Sequence, residues 1–382
     1  MRSMVLLFVS LLYGLANFYI GNRIANTIKP GLEFNLSLFV YIPILLLTVS
    51  SLVAYLQPAK NWKIIGTMGL YWFALVILAL FILGATDLLL FLISHMTKNG
   101  ISFPILLTLR IIDAILLVIL FVTGIHTANY IKITPYEITI DSANRADSLK
   151  IAMFSDLHLG YINGSNRMKE IVEKINSLHP DIVVIPGDFF DGNYNAVQNP
   201  QEIISLLRQM KSTNGTYLSW GNHDAGDTYE DMKKFILSAN ITILEDEAVM
   251  IEDKIALAGR KDSFPIGYQG DGRKDISLKL QKISDSLPVI VLDHQPSQMG
   301  EYKHADLILS GHTHQGQVFP FNLVTKKAFT VDYGYYENDG KKVIVTSGVG
   351  TWGPPIRIGT KSEIVEIIVN FEIPEAAKGK AE

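Results

Sequence analysis

The sequence of 382 residues contains no cysteine. Disulfide bonds, thiolate nucleophiles and cysteine-ligated zinc or iron–sulfur sites are therefore excluded. Charged residues make up only 18% of the chain, and the net charge is −4. The sequence has no concentrated basic patch of the kind that is typical of nucleic-acid-binding proteins, so we expect no nucleic-acid partner.

Charge is scarce mainly in the first third of the chain. Residues 1–130 contain seven basic and three acidic residues, whereas residues 131–382 contain 26 basic and 34 acidic residues. An apolar portion joined to a charged portion indicates a membrane anchor followed by a soluble domain. We predict an anchor over residues 1–130, a soluble domain over residues 131–373 and a flexible tail over residues 374–382.

The anchor contains long apolar stretches, each of which can cross a hydrocarbon core of about 30 Å as a helix. They predict a four-helix transmembrane bundle with spans over residues 4–20, 36–56, 68–93 and 104–125. Three spans would remain if the first stretch were a cleaved signal, but no small-residue cleavage site follows it. The intramembrane charges Arg110 and Asp113 are three residues apart and can pair on one helical face, with help from Asp87. We interpret them as a neutralised structural pair rather than as an ion path.

Basic residues beside the spans give a slight orientation bias. With four spans, the two ends of the chain lie on the same side of the membrane. Four basic residues flank the spans on that side, and three flank them on the other side. The positive-inside bias then favours a multi-pass protein of the cell membrane with a cytoplasmic soluble domain.

Short apolar runs alternate with amphipathic helices after residue 130. We predict helices over residues 167–178, 201–210 and 229–238, and strands over residues 149–155, 181–186, 216–220, 287–292, 306–309, 342–346 and 364–369. Continuous apolar strands separated by helices indicate an α/β domain whose sheet is covered on both faces. The later hairpin-like runs favour a second, more antiparallel sheet stacked on the first.

Polar residues follow five of these strands. Carboxyl ends of strands line the ligand crevice of an open α/β sheet, so we expect these residues to converge at one edge. Each of them alone is typical of a turn or a helix cap. Together they place five of nine histidines beside repeated glycines, a combination that metal coordination explains and a purely structural role does not; the residues are Asp156, His158, Asp188, Asp191, Asn222, His223, Asp224, His294, His312 and His314.

The ligand types indicate two sites of mixed imidazole and carboxylate donors. Alternating residues of a strand point the same way, so Asp156 and His158 can reach one metal ion if strand geometry persists. Such donors suit Mn²⁺, Fe²⁺/Fe³⁺ or Zn²⁺ rather than Ca²⁺. Two such ions can polarise a phosphoryl oxygen and activate a bridging water.

The ordered elements D-x-H, G-D-x-x-D, G-N-H-[DE], His and G-H-x-H resemble the calcineurin-like metallophosphoesterase family, over Asp156 to His314. The resemblance implies a double β-sheet sandwich flanked by helices. It implies a first ion held by Asp156, His158, Asp188 and His314, and a second held by Asp188, Asn222, His294 and His312. It also implies that Asp188 bridges the ions, that His223 protonates or stabilises the leaving oxygen, and that Asp191 and Asp224 orient the histidines.

Three further segments resemble a membrane-linked bacterial branch that includes UDP-2,3-diacylglucosamine pyrophosphohydrolase-type enzymes: SDLHLG at 155–160, SGHTHQGQ at 310–317 and SGVGTWGPPIRIG at 347–359. Gln315 replaces the usual glycine after the last histidine, which leaves metal binding intact but affects close substrate contacts. The stretch at 352–355 shapes either a substrate rim or a rigid turn.

The predicted function is that of a membrane-anchored dimetal phosphoesterase. It would hydrolyse a phosphoester or pyrophosphate bond by attack of a metal-bridged hydroxide, on a phosphorylated small molecule or a lipid-linked substrate at the bilayer. One alternative is a hydrolase of soluble nucleotides or cyclic diesters that is held at the membrane. Another is a metal-dependent sensor or scaffold without turnover.

Overall fold

The structure is a computed structural model that describes residues 2–28, 37–56, 59–98, 100–142, 147–284, 287–338 and 340–373. The tail predicted at residues 374–382 lies outside this part of the chain. The Cα positions of the chain divide into two compact units. One contains residues 1–126 and the segment 353–356, and the other contains the remainder from residue 127 onward. The domain limits predicted from the sequence stay a prediction.

The first unit is helical. Its helices are α1 (Arg2–Ile28), α2 (Ser37–Leu56), α3 (Lys63–Thr97) and α4 (Phe103–Asn129). Among the described residues, α3 and α4 are long and apolar enough to cross a membrane. The apolar stretch of α2, Leu38–Val53, is shorter. Two candidate membrane helices are therefore found, and the four-span bundle stays a proposal.

Charged side chains inside the first unit pair with one another. The Arg110 guanidinium donates to Asp113 Oδ2 at 3.0 Å and also to Asp87. Arg23 Nε lies 2.6 Å from Asp87 Oδ2. This confirms the predicted pairing of Arg110 with Asp113, assisted by Asp87.

The second unit contains two six-stranded sheets. Its helices are α5 (Ser165–Leu178), α6 (Pro200–Leu207), α7 (Tyr229–Ser238), α8 (Ser277–Ser284) and α9 (Phe321–Ala328). Its strands are β1 (Ile131–Asp141), β2 (Ser148–Met153), β3 (Ile182–Pro186), β4 (Thr216–Ser219), β5 (Thr242–Ile243), β6 (Glu247–Ile251), β7 (Ile255–Gly259), β8 (Val289–Leu292), β9 (Leu307–Ser310), β10 (Gly334–Asn338), β11 (Lys341–Val345) and β12 (Ser362–Glu372).

The strand order is β1-β12-β2-β3-β4-β5 in the first sheet and β10-β11-β9-β8-β7-β6 in the second. Only β12 and β2 pair antiparallel in the first sheet. In the second sheet the four inner strands are parallel, and the edge strands β10 and β6 are antiparallel to their neighbours. The second sheet is therefore the more antiparallel of the two, as expected, with two antiparallel strand pairs against one, but both of these pairs lie at its edges. The predicted strand at 364–369 belongs to the first sheet, because β12 fits between β1 and β2.

Apolar side chains fill the space between the sheets and cover their outer faces. Ile151 and Val184 of the first sheet pack in one cluster with Leu257, Ile290 and Leu309 of the second. The outer face of the first sheet is covered by α5, α6 and α7, and that of the second by α8. Strands buried on both faces read as continuous apolar runs, which is why β3, β8 and β9 were recognisable in the sequence.

Candidate metal centre

The site lies where the carboxyl ends of strands from both sheets meet. Asp156 follows β2, Asp188 follows β3 and Asn222 follows β4 in the first sheet, whereas His294 and His312 follow β8 and β9 of the second. The convergence expected from the sequence is therefore present, but two sheets supply it rather than one edge of one sheet.

The backbone at the site is left-handed rather than extended. Strand β2 ends at Met153, and positive φ angles of 54° at Asp156 and 49° at His158 follow it. The expectation that these two residues alternate along a strand is wrong, and consecutive turns bring them together instead. Asp188, His312 and His314 have φ angles of 52°, 72° and 48°. Residues other than glycine adopt this conformation at a cost, and such strain concentrates at functional sites.

A first group consists of Asp156, His158 and His314, whose ligand atoms all lie within 4.8 Å of one another. The Nε2 atoms of His158 and His314 are 3.0 Å apart, and His314 Nε2 is 3.4 Å from Asp156 Oδ1. All three side chains are buried. Converging nitrogen and oxygen lone pairs at this spacing are suited to one cation.

A second group consists of Asp188, His294 and His312, with Asn222 beside it. Asn222 Oδ1 lies 2.8 Å from His312 Nδ1 and 3.2 Å from His294 Nε2. His294 Nε2 lies 3.1 Å from Asp188 Oδ2. This group therefore adds one neutral oxygen to two imidazoles and a carboxylate.

Asp188 lies between the two groups. Its Oδ2 atom is 3.1 Å from His294 Nε2 in the second group and 3.7 Å from His158 Nε2 in the first. Its Oδ1 atom accepts a hydrogen bond of 2.8 Å from the backbone N–H of His223, which fixes the carboxylate plane. Six of these side chains thus form two adjoining groups, with Asn222 beside the second group and the Asp188 carboxylate on the side towards the first. Mixed imidazole and oxygen donors of this kind are compatible with divalent metal ions.

The family model for calcineurin-like phosphoesterases matches residues 149–316. An uncharacterized metallophosphoesterase of Campylobacter jejuni is 30% identical over 369 residues, which cover 94% of this chain and 96% of that protein. The chain belongs to the calcineurin-like phosphoesterase family.

Two further relatives of this family match over part of their length. An uncharacterized metallophosphoesterase of Helicobacter pylori is 38% identical over 238 residues, 61% of this chain, and the chain spans 62% of that relative's length. A zebrafish (Danio rerio) protein named transmembrane protein with metallophosphoesterase domain is 32% identical over 276 residues, 68% of this chain and 62% of that protein. In the present chain, α3 and α4 are the candidate membrane helices among the described residues.

Neighbouring groups orient the candidate ligands of this family member. His294 Nδ1 lies 3.0 Å from the carbonyl oxygen of Pro186, so a proton on Nδ1 leaves Nε2 free to face the centre. His158 Nδ1 lies 3.3 Å from Asp191 Oδ1. Asp224 accepts hydrogen bonds from the backbone N–H groups of Phe189, Phe190 and Gly221 at 2.8–3.1 Å, and thereby joins the turns after β3 and β4.

Burial and mutual charge set the protonation of the cluster. Burial and the neighbouring His294 lower the pKa of His312 to about 3. Burial and His158 hold the pKa of His314 well below its usual value. Burial also acts to lower the pKa of His294, but the Asp188 carboxylate outweighs it and raises that pKa well above the usual value. Burial and the charge of Asp188 raise the pKa of Asp224 to about 7.

His223 lies beside the two groups rather than within either. Its ring centroid is 5.0 Å from that of His158 and 5.9 Å from that of Trp352. It also forms a third group with His158 and Asp191, whose ligand atoms lie within 4.8 Å of one another. In that group His158 faces Asp191 through Nδ1, at 3.3 Å, whereas it faces His314 of the first group through Nε2. Burial lowers the pKa of His223. Trp352, which the sequence assigned either to a substrate rim or to a rigid turn, is exposed and lies beside this histidine.

Arg357 is a site residue that the sequence reasoning missed. Its fully buried guanidinium donates to the carbonyl oxygens of Ser347 and Gly350 at 2.6 and 2.7 Å, and lies 3.3 Å from His314 Nδ1. The only indication of this residue in the sequence was an arginine in a glycine- and proline-rich segment, and such a segment is equally typical of an exposed turn. Asp262 was also missed; its carboxylate accepts hydrogen bonds from Gln295, the residue after His294.

Proposed function

We propose that the protein is a membrane-anchored dimetal phosphoesterase that hydrolyses a phosphoester or pyrophosphate bond. The observation that carries this proposal is the position of Asp188 Oδ2 between two imidazole-containing donor sets. The first ion would be held by Asp156, His158, Asp188 and His314, and the second by Asp188, Asn222, His294 and His312. Mn²⁺, Fe²⁺/Fe³⁺ and Zn²⁺ suit these mixed donors. Bound there, the two ions would polarise the phosphoryl oxygen and provide a water-derived nucleophile at neutral pH.

His223 is the group that we assign to the leaving oxygen. Its side chain is partly accessible and lies beside the first group, while its backbone N–H holds Asp188. An imidazole in this position can donate a proton to the leaving oxygen or stabilise its charge. Asp191 and Asp224 would position the machinery through His158 and through the turns after β3 and β4.

The proposed hydrolysis is tested by measuring turnover of an aryl phosphodiester by the purified full chain with Mn²⁺. A His223→Ala variant should bind Mn²⁺ as the wild type does and lose about 10²–10⁴-fold in turnover. His179→Ala, at an exposed histidine in the same unit, is the matched control and should keep full activity. Absence of turnover by a wild-type chain that binds two ions would favour the sensor or scaffold alternative.

The substrate that we propose is lipid-linked, such as a diacylated nucleotide sugar. The likeness of the segments at 155–160, 310–317 and 347–359 to UDP-2,3-diacylglucosamine pyrophosphohydrolase-type enzymes supports it, as does membrane association, which raises the local concentration of lipid phosphates. A soluble nucleotide or cyclic diester is the second candidate. A screen of the detergent-solubilised chain across lipid pyrophosphates, nucleotides and monoesters decides between them.

We also propose that all four N-terminal helices cross the membrane and that the phosphoesterase domain is cytoplasmic. The four helices of the first unit and the slight excess of flanking basic residues support this arrangement. Because the chain has no cysteine, a single cysteine introduced at either end can be labelled from one side of intact cells. Labelling from outside would contradict the orientation.

A further inference from the structure

An exposed tryptophan lies beside the histidine that we assign to the leaving oxygen. Trp352 is 53% exposed, and its ring centroid is 5.9 Å from that of His223, with an angle of 56° between the two ring planes. The ring of His223 in turn has its centroid 5.0 Å from that of His158 in the first group. His223 is therefore a neighbour both of the candidate metal centre and of an indole that solvent can reach.

Trp352 is held in place through its backbone. Its N–H donates to Gln317 Oε1 at 2.9 Å, and its carbonyl oxygen accepts from Gln317 Nε2 at 3.1 Å. Gln317 is buried, and its own backbone N–H donates to the carbonyl oxygen of His314 at 2.9 Å. The position of Trp352 is thus fixed by the turn that carries a candidate metal ligand.

The segment just before Trp352 is fixed to the same centre. The backbone N–H of Gly350 donates to the carbonyl oxygen of Asp156 at 2.9 Å. A Cβ on Gly350 would overlap the carbonyl oxygens of Asp156 and Leu157, so the two segments are in close contact. Because the backbone that carries the indole is already ordered, a ligand that stacks on this ring loses less conformational entropy on binding.

The surroundings of Trp352 favour a flat, polar ring as its partner over an acyl chain. Its ring lies beside the imidazole of His223, and its backbone contacts the side-chain amide of Gln317. The ligand atoms of His223, His158 and Asp191 lie within 4.8 Å of one another. An acyl chain cannot hydrogen-bond to these imidazole, amide and carboxylate groups. A nucleobase offers a face that stacks on indole and an edge that carries donors and acceptors.

We propose that the exposed ring of Trp352 is a stacking platform for a nucleobase on the leaving group, so that the favoured substrates are nucleotide-bearing phosphoesters or pyrophosphates whose nucleoside side departs. The inference rests on the proposed function, because it takes His223 as the group next to the leaving oxygen. A phosphoryl group at the candidate metal centre has its departing oxygen at His223, and the group attached to that oxygen reaches Trp352. Trp352 then determines specificity by binding the departing part of the substrate.

Binding of two analogues that cannot be hydrolysed tests this platform. One is the 5′-phosphonate of uridine in which a methylene group replaces the bridging oxygen, and the other is the same phosphonate of ribose, which lacks the base. Both are titrated calorimetrically into the detergent-solubilised full chain with saturating Mn²⁺. We expect the uridine analogue to bind roughly 5–100-fold more tightly, because one base stacked on an aromatic side chain contributes that much.

Variants at two exposed tryptophans separate stacking from other effects. Trp352→Leu should remove most of the preference for the uridine analogue and leave the affinity for the ribose analogue unchanged. Trp352→Phe should retain part of the preference, because a phenyl ring also stacks on a base. Trp62→Leu, at a tryptophan of the first unit that is 41% exposed, is the matched control and should keep the full preference. Titration of each variant with Mn²⁺ reports whether its metal centre is intact.

Three outcomes contradict the proposal. A wild-type chain that binds both analogues equally, or neither of them, would have no site for the base. A preference that survives in Trp352→Leu would place the base elsewhere. Equal loss of affinity for both analogues in Trp352→Leu would show that the indole contacts the sugar instead. Since none of these readouts uses turnover, a chain that shows the preference but hydrolyses no phosphoester would count against the proposed function and not against the stacking platform.

Discussion

At the scale of single residues, buried polar groups decide how the site is supported. The Arg357 guanidinium donates hydrogen bonds to the carbonyl oxygens of Ser347 and Gly350. It also lies beside Nδ1 of His314, the ring nitrogen that points away from the first group. Its burial lowers its pKa to about 10, which leaves it charged at neutral pH. The candidate ligand residues could be proposed from the sequence because their motif spacing is specific. Arg357 could not, because its role depends on a fold that brings two distant segments around it.

Replacement of Arg357 should weaken both the fold and the first donor set. Arg357→Met leaves at least two buried carbonyl oxygens without donors, at a cost of about 1–3 kcal/mol each. We expect a lower unfolding temperature in calorimetry of the detergent-solubilised chain, and a smaller loss for Arg357→Lys. The control is Arg208→Met, at an exposed arginine that also donates to a carbonyl oxygen. Equal losses at both positions would contradict the supporting role of Arg357.

At the scale of elements, the sequence predicted seven of the strands that the structure describes but not the turns between them, and it missed strands β1, β5, β6, β7 and β10. Helix α7 matches its predicted range, and β3 is within one residue of it, because apolar periodicity is a local signal. The left-handed turns after β2, β3 and β9 carry no such signal, so the extended geometry expected for Asp156 and His158 was wrong. The pairing of β12 with β2 is likewise a tertiary contact that local sequence does not encode.

The turn after β4 should tolerate only glycine at position 221. A Cβ on Gly221 would overlap the carboxylate and backbone N–H of Asp188. We expect Gly221→Ala to lower Mn²⁺ affinity at least tenfold in calorimetric titration, because Asp188 must move from its place between the donor sets. Gly272→Ala, whose added Cβ would meet nothing within 4 Å, should bind Mn²⁺ like the wild type. Unchanged affinity of the Gly221 variant would show that Asp188 is not held as described.

At the scale of the whole molecule, a buried carboxylate joins the two sheets. Glu363 of β12 accepts hydrogen bonds from Thr346 and from the Ser347 N–H after β11, both at 3.0 Å, and from Thr134 of β1 at 2.6 Å. Burial acts to raise the pKa of Glu363, but these donors and Lys361 outweigh it and set the pKa below its ordinary value. A carboxylate whose pKa is lower in the folded state stabilises the fold above its unfolded pKa, about 4.3. This contribution is lost as the pH falls through the folded value.

The stability difference between wild type and Glu363→Gln should therefore depend on pH. We expect the variant to unfold at a lower temperature at pH 7, and the difference to shrink as the pH falls below the unfolded pKa of about 4.3 towards the lower pKa of the folded state. Thermal unfolding at a series of pH values measures it. Glu247→Gln, at an exposed position of β6, is the control and should show no such dependence. A difference that grows on acidification would contradict the assignment.

We propose that the Asp188 carboxylate serves two metal ions, and titration of the full chain with Mn²⁺ tests this most directly. We expect two bound ions per chain for the wild type, weaker binding of both ions for Asp188→Asn, and weaker binding of only one ion for His312→Ala. Lys282→Met, at a lysine on α8 of the second unit, should leave both ions bound. A single ion in the wild type, or two ions held undiminished by Asp188→Asn, would contradict it.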